Sequence, residues 1–435
     1  MFASELKIGE TVEHMIADIS DAFWQIPLHP KERKFFVAKF KSRYLCFVRT
    51  AQGPRAAPLT FCAFMSMLAR FAQSLFFRDH PHNRHPEDAR LQTYTDDPWL
   101  IARGTPQQIN KIFATLMITW ELFGLPVATH KAVRGTCLKW VGMKLEVSPC
   151  QVKVHVPEDK VLELEVLSLR ILSSNVVSCK LLRSYVGKAM NIATVIHTWR
   201  PFLQQLYAAI KTEGEGEAPR GCVWTKQVDT PVRWILAFVH QLRSHLVRRW
   251  DVATFANKGA KVTVMWDASP FGFGAVLIVN GNILEYLFDT PQTSETELLS
   301  LQVGNSESQQ AMESLAGLVA LRTWKPHWMF ARTVLALRSD NIGALMLFGK
   351  LKTKSSRNSV IAREFALDLG DASFAPQIVE HVPGFSNTIC DNLSRLTDPT
   401  GHYRTPGCLE NSPRVPCPPR DRTWWRSLHP PQLVR

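Results

Sequence analysis

The chain has 435 residues, 46% of them hydrophobic, and a formal net charge of +13 at pH 7. That length and apolar content provide for two or three domains with buried cores, so a globular protein is expected rather than a disordered one. The basic balance, with a pI near 9.4, suits a polyanionic partner, nucleic acid ahead of a membrane. No apolar run approaches the ~20 residues that span a bilayer, and MFASELKIGE has no signal-peptide core. An intracellular chain, cytoplasmic or nuclear and without a membrane partner, is expected.

In chain order, MIADISDAFWQIPLHP opens as a strand that runs into Asp18 and Asp21, and KFFVAKFKSRYLCFVRT follows as two β-rich runs around a basic turn. In AQGPRAAPLTFCAFMSMLARFAQSLFF a Gly-Pro loop gives way to a helix. Phe61, Phe64, Met65, Leu68, Phe71 and Leu75 are spaced for one face, with Pro58 near its start. RDHPHNRHPED carries His80, His82 and His85, but its Pro-broken spacing lacks the register of a metal site and reads as a surface loop.

LQTYTDDPWL sets Asp96 and Asp97 side by side between strand-forming residues, which by itself describes a solvated hairpin tip. TPQQINKIFATLMITWELFG then shows Thr105 as N-cap, Pro106 at the first helical position, Gln108 completing a capping box and Gly124 as the stop. CLKWVGMKLEV returns as strand. Setting the basic hairpin aside, the order is strand, helix, two-strand hairpin, helix, strand, the split βαβ or ferredoxin-like pattern. That topology makes the strand ending at Asp18 a neighbour of the Asp96 hairpin, so their carboxylates converge. Such a group repels itself unless a divalent cation neutralises it, and hard oxygen ligands suit magnesium, or manganese in its place. Two such ions serve in-line phosphoryl displacement.

Residues 151–257 read as mainly helical, with Lys180, Arg183, Lys188 and Arg200 on what is ordinarily a solvated face. KTEGEGEAPRG reads as a flexible loop, and FANKGAK as a domain boundary. From residue 261 three strands follow, Asn280-Gly281 supplying a tight turn. A helix with a Ser306/Gln309 capping box and a stripe through Met312, Leu315, Ala316 and Val319 comes next, then strand, helix, strand and a last helix near Asn387. Asp267, Glu313, Asp340 and Asp391 fall at strand ends or on helices, each explicable singly as a cap or turn. The tail from residue 397 is Pro-rich and basic, so it is expected to be disordered, with Trp424 and Trp425 marking an interaction segment or stacking on bases. The nine cysteines include no C-x-x-C pair and are expected to be reduced, buried thiols.

ADISDAF with Asp18, AQGPRAAP with Gln52, Gly53 and Pro58, YTDD, GLPVATHK with Lys131 and LKWVGMKL with Trp140 and Gly142 resemble, in order, the palm motifs of retroelement reverse transcriptases. The resemblance implies that Asp18, Asp96 and Asp97 hold the metals, that Phe23 is the steric gate favouring deoxynucleotides, and that Gln52 and Gly53 line the nucleotide pocket. It also makes LKWVGMKL the primer-grip hairpin. Pro98 departs from the usual apolar residue after the Asp pair.

WDASPFGFGAVL, AMESLAGL, RSDN and NTICDNLSRL resemble ribonuclease H of retrotransposon type, which implies that Asp267, Glu313, Asp340 and Asp391 bind two further ions. HVPGFSNTICD is shorter than the loop that holds a histidine in retroviral forms, so His381 is not assigned to catalysis.

The expected architecture is an α+β palm with truncated fingers (1–150), a helical thumb/connection (151–257), an α/β ribonuclease H-like domain (258–396) and the tail (397–435). The fingers are expected to be truncated because only 17 residues precede Asp18, with Lys7 their sole Lys or Arg. The implied partners are an RNA template, a DNA primer, an RNA/DNA hybrid and deoxynucleoside triphosphates; the sequence leaves protein partners open. The alternative is a truncated element remnant that binds nucleic acid or retains only ribonuclease H activity.

Overall fold

The computed structural model describes residues 6–76, 79–80, 83–84, 88–211, 218–256, 258–329, 333–353, 355–371, 376 and 378–432. His82 and His85, and most of the acidic KTEGEGE loop, lie outside them. The fold is a mixed α/β one whose sheets are largely antiparallel, divided into two compact units, Met1–His155 with Arg249–Val252, and Val156–Arg248 with Ala253–Arg435. Among the described residues no helix is long and apolar enough to cross a membrane.

In the first unit, β1 (Thr11–Ile16) is followed by a hairpin of β2 (Val37–Phe40) and β3 (Arg43–Cys46), helix α1 (Ala57–Ser74), strands β4 (Ala89–Tyr94) and β5 (Asp97–Gly104), helix α2 (Pro106–Leu122) and strand β6 (Val133–Gly135). Their sheet runs β4-β5-β1-β6 with antiparallel pairings throughout. This is the order of a split βαβ, in which β5 lies between the parallel β1 and β4. Strands β7 (Cys137–Trp140), β8 (Met143–Val147) and β9 (Gln151–His155) belong to a second sheet.

Helix α2 forms as its sequence dictates. The Thr105 side chain accepts from the Gln108 N–H, Gln108 answers to the Thr105 N–H, and Ile109, Phe113, Leu116 and Trp120 are buried. Helix α1 departs from its expected stripe. Phe61, Met65, Leu68 and Ala72 face the core, but Phe71 and Leu75 are exposed. The buried row continues 61, 65, 68, 72 and 76, so the small Ala72 and then Phe76 take the inward positions and Phe71 packs edge-on against Phe123 instead.

In the second unit, helices α3 (Glu158–Leu172), α4 (Cys179–Ala193), α5 (Arg200–Lys211) and α6 (Asp229–His240) precede a five-stranded sheet. It contains β10 (Ala260–Ala268), β11 (Phe273–Val279), β12 (Asn282–Asp289), β13 (Thr333–Ser339) and β14 (Ile378–His381), in the order β12-β11-β10-β13-β14. The first three strands are antiparallel and the last two parallel to β10. Asn280 and Gly281 both take positive φ, 50° and 92°, as their two-residue turn requires.

Helix α7 (Gln309–Thr323) is buried from Ala311 to Leu321 on every side rather than along one stripe, because the sheet and two further helices, α8 (Ile342–Lys350) and α9 (Ser356–Asp371), enclose it. Its expected Ser306/Gln309 capping box does not form. Ser308 is the N-cap, and the Gln309 amide donates to the Ala268 carbonyl and the Glu313 carboxylate.

Two further expectations are corrected. All nine cysteines are free, but only Cys179 and Cys390 are buried, and Cys46, Cys137, Cys150 and Cys408 are exposed. The tail, largely exposed, is anchored by the buried Leu409, Arg420, Trp425 and Ser427. Arg420, fully buried, donates to Glu295 at 2.7 Å, to Asp289 at 2.8 Å and to the Thr290 carbonyl, so its charge is neutralised where it sits. Trp425 is 2% exposed, the Ser427 N–H donates to Glu364, and the Arg322 guanidinium stacks 4.3 Å from the Trp424 ring. Low-complexity composition concealed these anchors because each partner lies more than a hundred residues upstream or in a separate helix. Trp425→Ala is therefore expected to cost about 3–5 kcal/mol by cavity formation, read as a lowered thermal unfolding midpoint. An unchanged midpoint would mean that the tail contributes no packing.

Candidate metal centres

The first cluster is assembled by backbone. After β1 the chain stays in register: the Ala17 N–H donates to the Pro98 carbonyl and the Ile19 N–H to the Asp96 carbonyl, both at 3.2 Å. On the other side the Ala128 N–H donates to the Asp18 carbonyl at 2.8 Å. Asp18 is thereby held between the Asp96 turn and the 126–131 segment. Thr95, in the turn, takes φ 52°, a left-handed conformation that costs a β-branched residue about 1–2 kcal/mol. Pro98 sits within β5 opposite Thr93, where its carbonyl still accepts.

The Lys131 ammonium donates to Asp18 Oδ2 at 2.5 Å. Its pKa is raised, first by that hydrogen bond and then by the charge of Asp18, with Asp96 and Asp97 adding to it. Burial is the largest cause raising the Asp97 pKa, followed by Asp96 and Asp18, with Lys131 opposing. The three carboxylates therefore sense one another and share a cation. Carboxylate oxygens are the donor set that magnesium or manganese takes, but here one of them is already engaged by Lys131.

Of the other expected residues, Trp140 is the one that reaches the Asp pair. Phe23 is half-buried against Phe61, ring centroids 5.2 Å apart. Gln52 and Gly53 are exposed, and Gly53 takes φ +111° with nothing within 4 Å of a Cβ built on it. Trp140 donates from Nε1 to the Asp97 carbonyl at 3.1 Å and packs 5.0 Å from Trp99, which ties the β7–β8 turn to the Asp pair. Gly142 takes φ 73° and Val141 φ 49° in that two-residue turn.

The second cluster is tighter. Asp267 on β10, Glu313 on α7 and Asp340 just after β13 offer carboxylate oxygens within 4.8 Å of one another, the single such group among the described residues. Glu313 Oε2 and Asp340 Oδ1 are buried without a hydrogen-bond partner. Burial, then Asp340, raises the Asp267 pKa to about 7, while Ser394 Oγ, donating at 2.9 Å, opposes the rise. Burial, then Asp267 and Asp340, holds the Glu313 pKa well above the ordinary carboxylate range. Orphaned oxygens in a desolvated like-charge cluster fit a divalent cation.

Asp391, on α10 (Thr388–Ser394), lies at the rim. It adds to the Asp267 shift and accepts from Arg395 at 2.8 Å. His381 is exposed at the end of β14.

Sequence reasoning missed what holds this cluster. The Asn387 amide donates to the Trp266 carbonyl at 3.1 Å, and Gln309 braces Glu313. Helix α10 lies so close to β11 that a Cβ on Gly274 would come 2.3 Å from that of Leu393. The small residues of FGFGAVL and the polar ones flanking Asp391 were the available signals.

Residues 6–145 match the family model described as reverse transcriptase (RNA-dependent DNA polymerase). Both the Asp18 strand and the Asp96 hairpin lie inside that segment, which is about a third of the chain. No curated protein matches. Among solved structures, the foamy viral protease-reverse transcriptase dRH with ds DNA is 16% identical, with a TM-score of 0.44, over 88% of this chain and 58% of that one. The same viral protein with an RNA/DNA hybrid is 14% identical, with a TM-score of 0.40, over 88% and 47%. The chain thus spans about half the length of these first two relatives, and likenesses this distant carry no argument.

The raised pKa values give a sign for stability. A carboxyl whose folded pKa exceeds its unfolded value costs the fold nothing below about pH 4, the unfolded range, and destabilises it increasingly as pH rises toward about 7 for Asp267. Without divalent metal, the unfolding midpoint is expected to fall between pH 5 and pH 8, to recover by roughly 3 °C or more on adding magnesium at pH 8, and to lose that recovery in Asp267→Asn. Equal magnesium responses in the two proteins would contradict the assignment.

Proposed function

We propose that the chain is an RNA-directed DNA polymerase with ribonuclease H activity, of retrotransposon type. The observation that carries the reading is the convergence of Asp18, Asp96 and Asp97 within the segment that matches the reverse transcriptase model. On this reading 1–150 is palm with partial fingers, 151–257 thumb and connection, and 258–396 a ribonuclease H-like domain, whose sheet order and acidic cluster support it.

Asp18, Asp96 and Asp97 hold the divalent ions of the polymerase site, which when bound supply charge stabilisation to an in-line phosphoryl displacement on a deoxynucleoside triphosphate. Phe23, packed against Phe61, closes the pocket against a ribose 2′-hydroxyl. Gln52 and Gly53 line it, and Trp140 and Gly142 steady the primer end next to Asp97. Lys131 neutralises Asp18 and, if released from it, would offer its ammonium to the triphosphate. Asp267, Glu313, Asp340 and Asp391 hold the ions that serve cleavage of the RNA strand of a hybrid.

A nuclease-only reading is favoured by one observation: the group with ligand atoms within 4.8 Å is in the second unit, whereas Asp18 is paired with Lys131. Primer extension on an RNA template with magnesium and hybrid cleavage separate the two. The polymerase reading expects extension that Asp96→Asn lowers by at least about a hundredfold and cleavage that Asp340→Asn lowers as much. Extension that survives Asp96→Asn overturns the polymerase site, and cleavage without any extension leaves the nuclease alone.

A further inference from the structure

The β2–β3 hairpin is not used by either centre. Between Lys31 and Arg49 the sequence holds seven Lys or Arg against the single acid Glu32. Among the described residues Lys34, Lys39, Lys41 and Arg43 have no carboxylate partner. Instead the ammonium groups sit over rings: Lys34 is 5.0 Å from the Phe35 centroid, Lys41 5.6 Å from Phe40 and Lys39 5.9 Å from Tyr44. Phe40 is 62% and Tyr44 73% exposed.

The base of the hairpin is fixed. The Leu28 N–H donates to the Val48 carbonyl at 3.0 Å, the Thr50 N–H to the Ile26 carbonyl at 2.8 Å, and Arg49 to the Trp24 and Gln25 carbonyls at 3.2 Å. Its tip turns through Lys41 at φ 54° and stands free. A two-stranded ribbon with exposed rings is poorly stabilised alone, so its rings and cations await an occupant.

We propose that this hairpin is a stacking platform for single-stranded nucleic acid, separate from both acidic clusters. Unpaired bases present flat apolar faces to Phe40 and Tyr44, and their phosphates complement the four unpaired cations. A duplex hides its base faces. A second copy brings the same positive charge to this face and is repelled. The choice of nucleic acid over an anionic lipid surface, which also attracts basic and aromatic residues, rests on the family match of residues 6–145.

The test is fluorescence anisotropy on the full chain with labelled oligo-dT and oligo-U about 20 nucleotides long, a blunt duplex of the same length, and co-sedimentation with phosphatidylserine vesicles. Phe40→Ala with Tyr44→Ala is expected to weaken single-strand binding about tenfold or more and duplex binding less than about threefold. A loss on either homopolymer supports the platform and names its strand. Phe40→Trp with Tyr44→Phe, which keeps the rings, should restore binding, and an unchanged thermal midpoint shows that the fold is intact. Undiminished single-strand binding, an equal loss on the duplex, or loss of vesicle binding alone would overturn the proposal. Because homopolymer binding is read without nucleotide, its outcome does not depend on primer extension, so failure of the polymerase reading stays distinguishable from failure of the platform.

Discussion

Mutual repulsion among buried carboxylates is the constraint on which the rest of the second unit depends. Asp267, Glu313 and Asp340 come from a strand, a helix and a strand end that are far apart in sequence, and the fold holds them within 4.8 Å, with Asp267 and Glu313 buried and Asp340 half-buried. In a low-dielectric interior such a cluster opposes folding unless protons or cations neutralise it. The fold supports it with short-range polar braces: Ser394 on Asp267, Gln309 beside Glu313, and Asn387 on the neighbouring Trp266 carbonyl. Stability is given up locally and recovered from the enclosed helix α7 and the aromatic core around Trp266 and Phe348.

The first unit handles the same difficulty differently. Asp18 and the Asp96-Asp97 pair stay half-exposed, and Lys131, delivered by the segment that hydrogen-bonds to the Asp18 backbone, neutralises part of their charge. A solvated cluster with an exposed ammonium can exchange that partner for another cation at little cost, whereas the more enclosed trio cannot relax without one. One chain therefore carries an open acidic site and a more enclosed one.

Much of this was legible in the sequence because it rests on local rules. The Thr105/Gln108 box, the Asn280-Gly281 turn and the alternation of strands with helices specified their elements, and the split βαβ order then made Asp18 and Asp96 neighbours. What was not legible depended on tertiary competition. Phe71 lost its inward place to Ala72 because the α1 row bends toward Phe76, and Gln309 left its cap for a carbonyl across the unit. The tail was misjudged for the same reason. Arg420 and Trp425 are ordered by Glu295 and by the helices around Glu364, which no window of local composition contains. Exposed cysteines at strand edges such as Cys46 and Cys137 show equally that apolar flanks do not guarantee burial.

Neutralisation of Asp267, Glu313 and Asp340 requires that they bind a cation. Calorimetric titration of manganese into the full chain at pH 8, compared with Asp340→Asn, addresses it most directly. A saturable binding event is expected in the parent and should disappear in the variant while folding is preserved. Identical isotherms for the two proteins would contradict it.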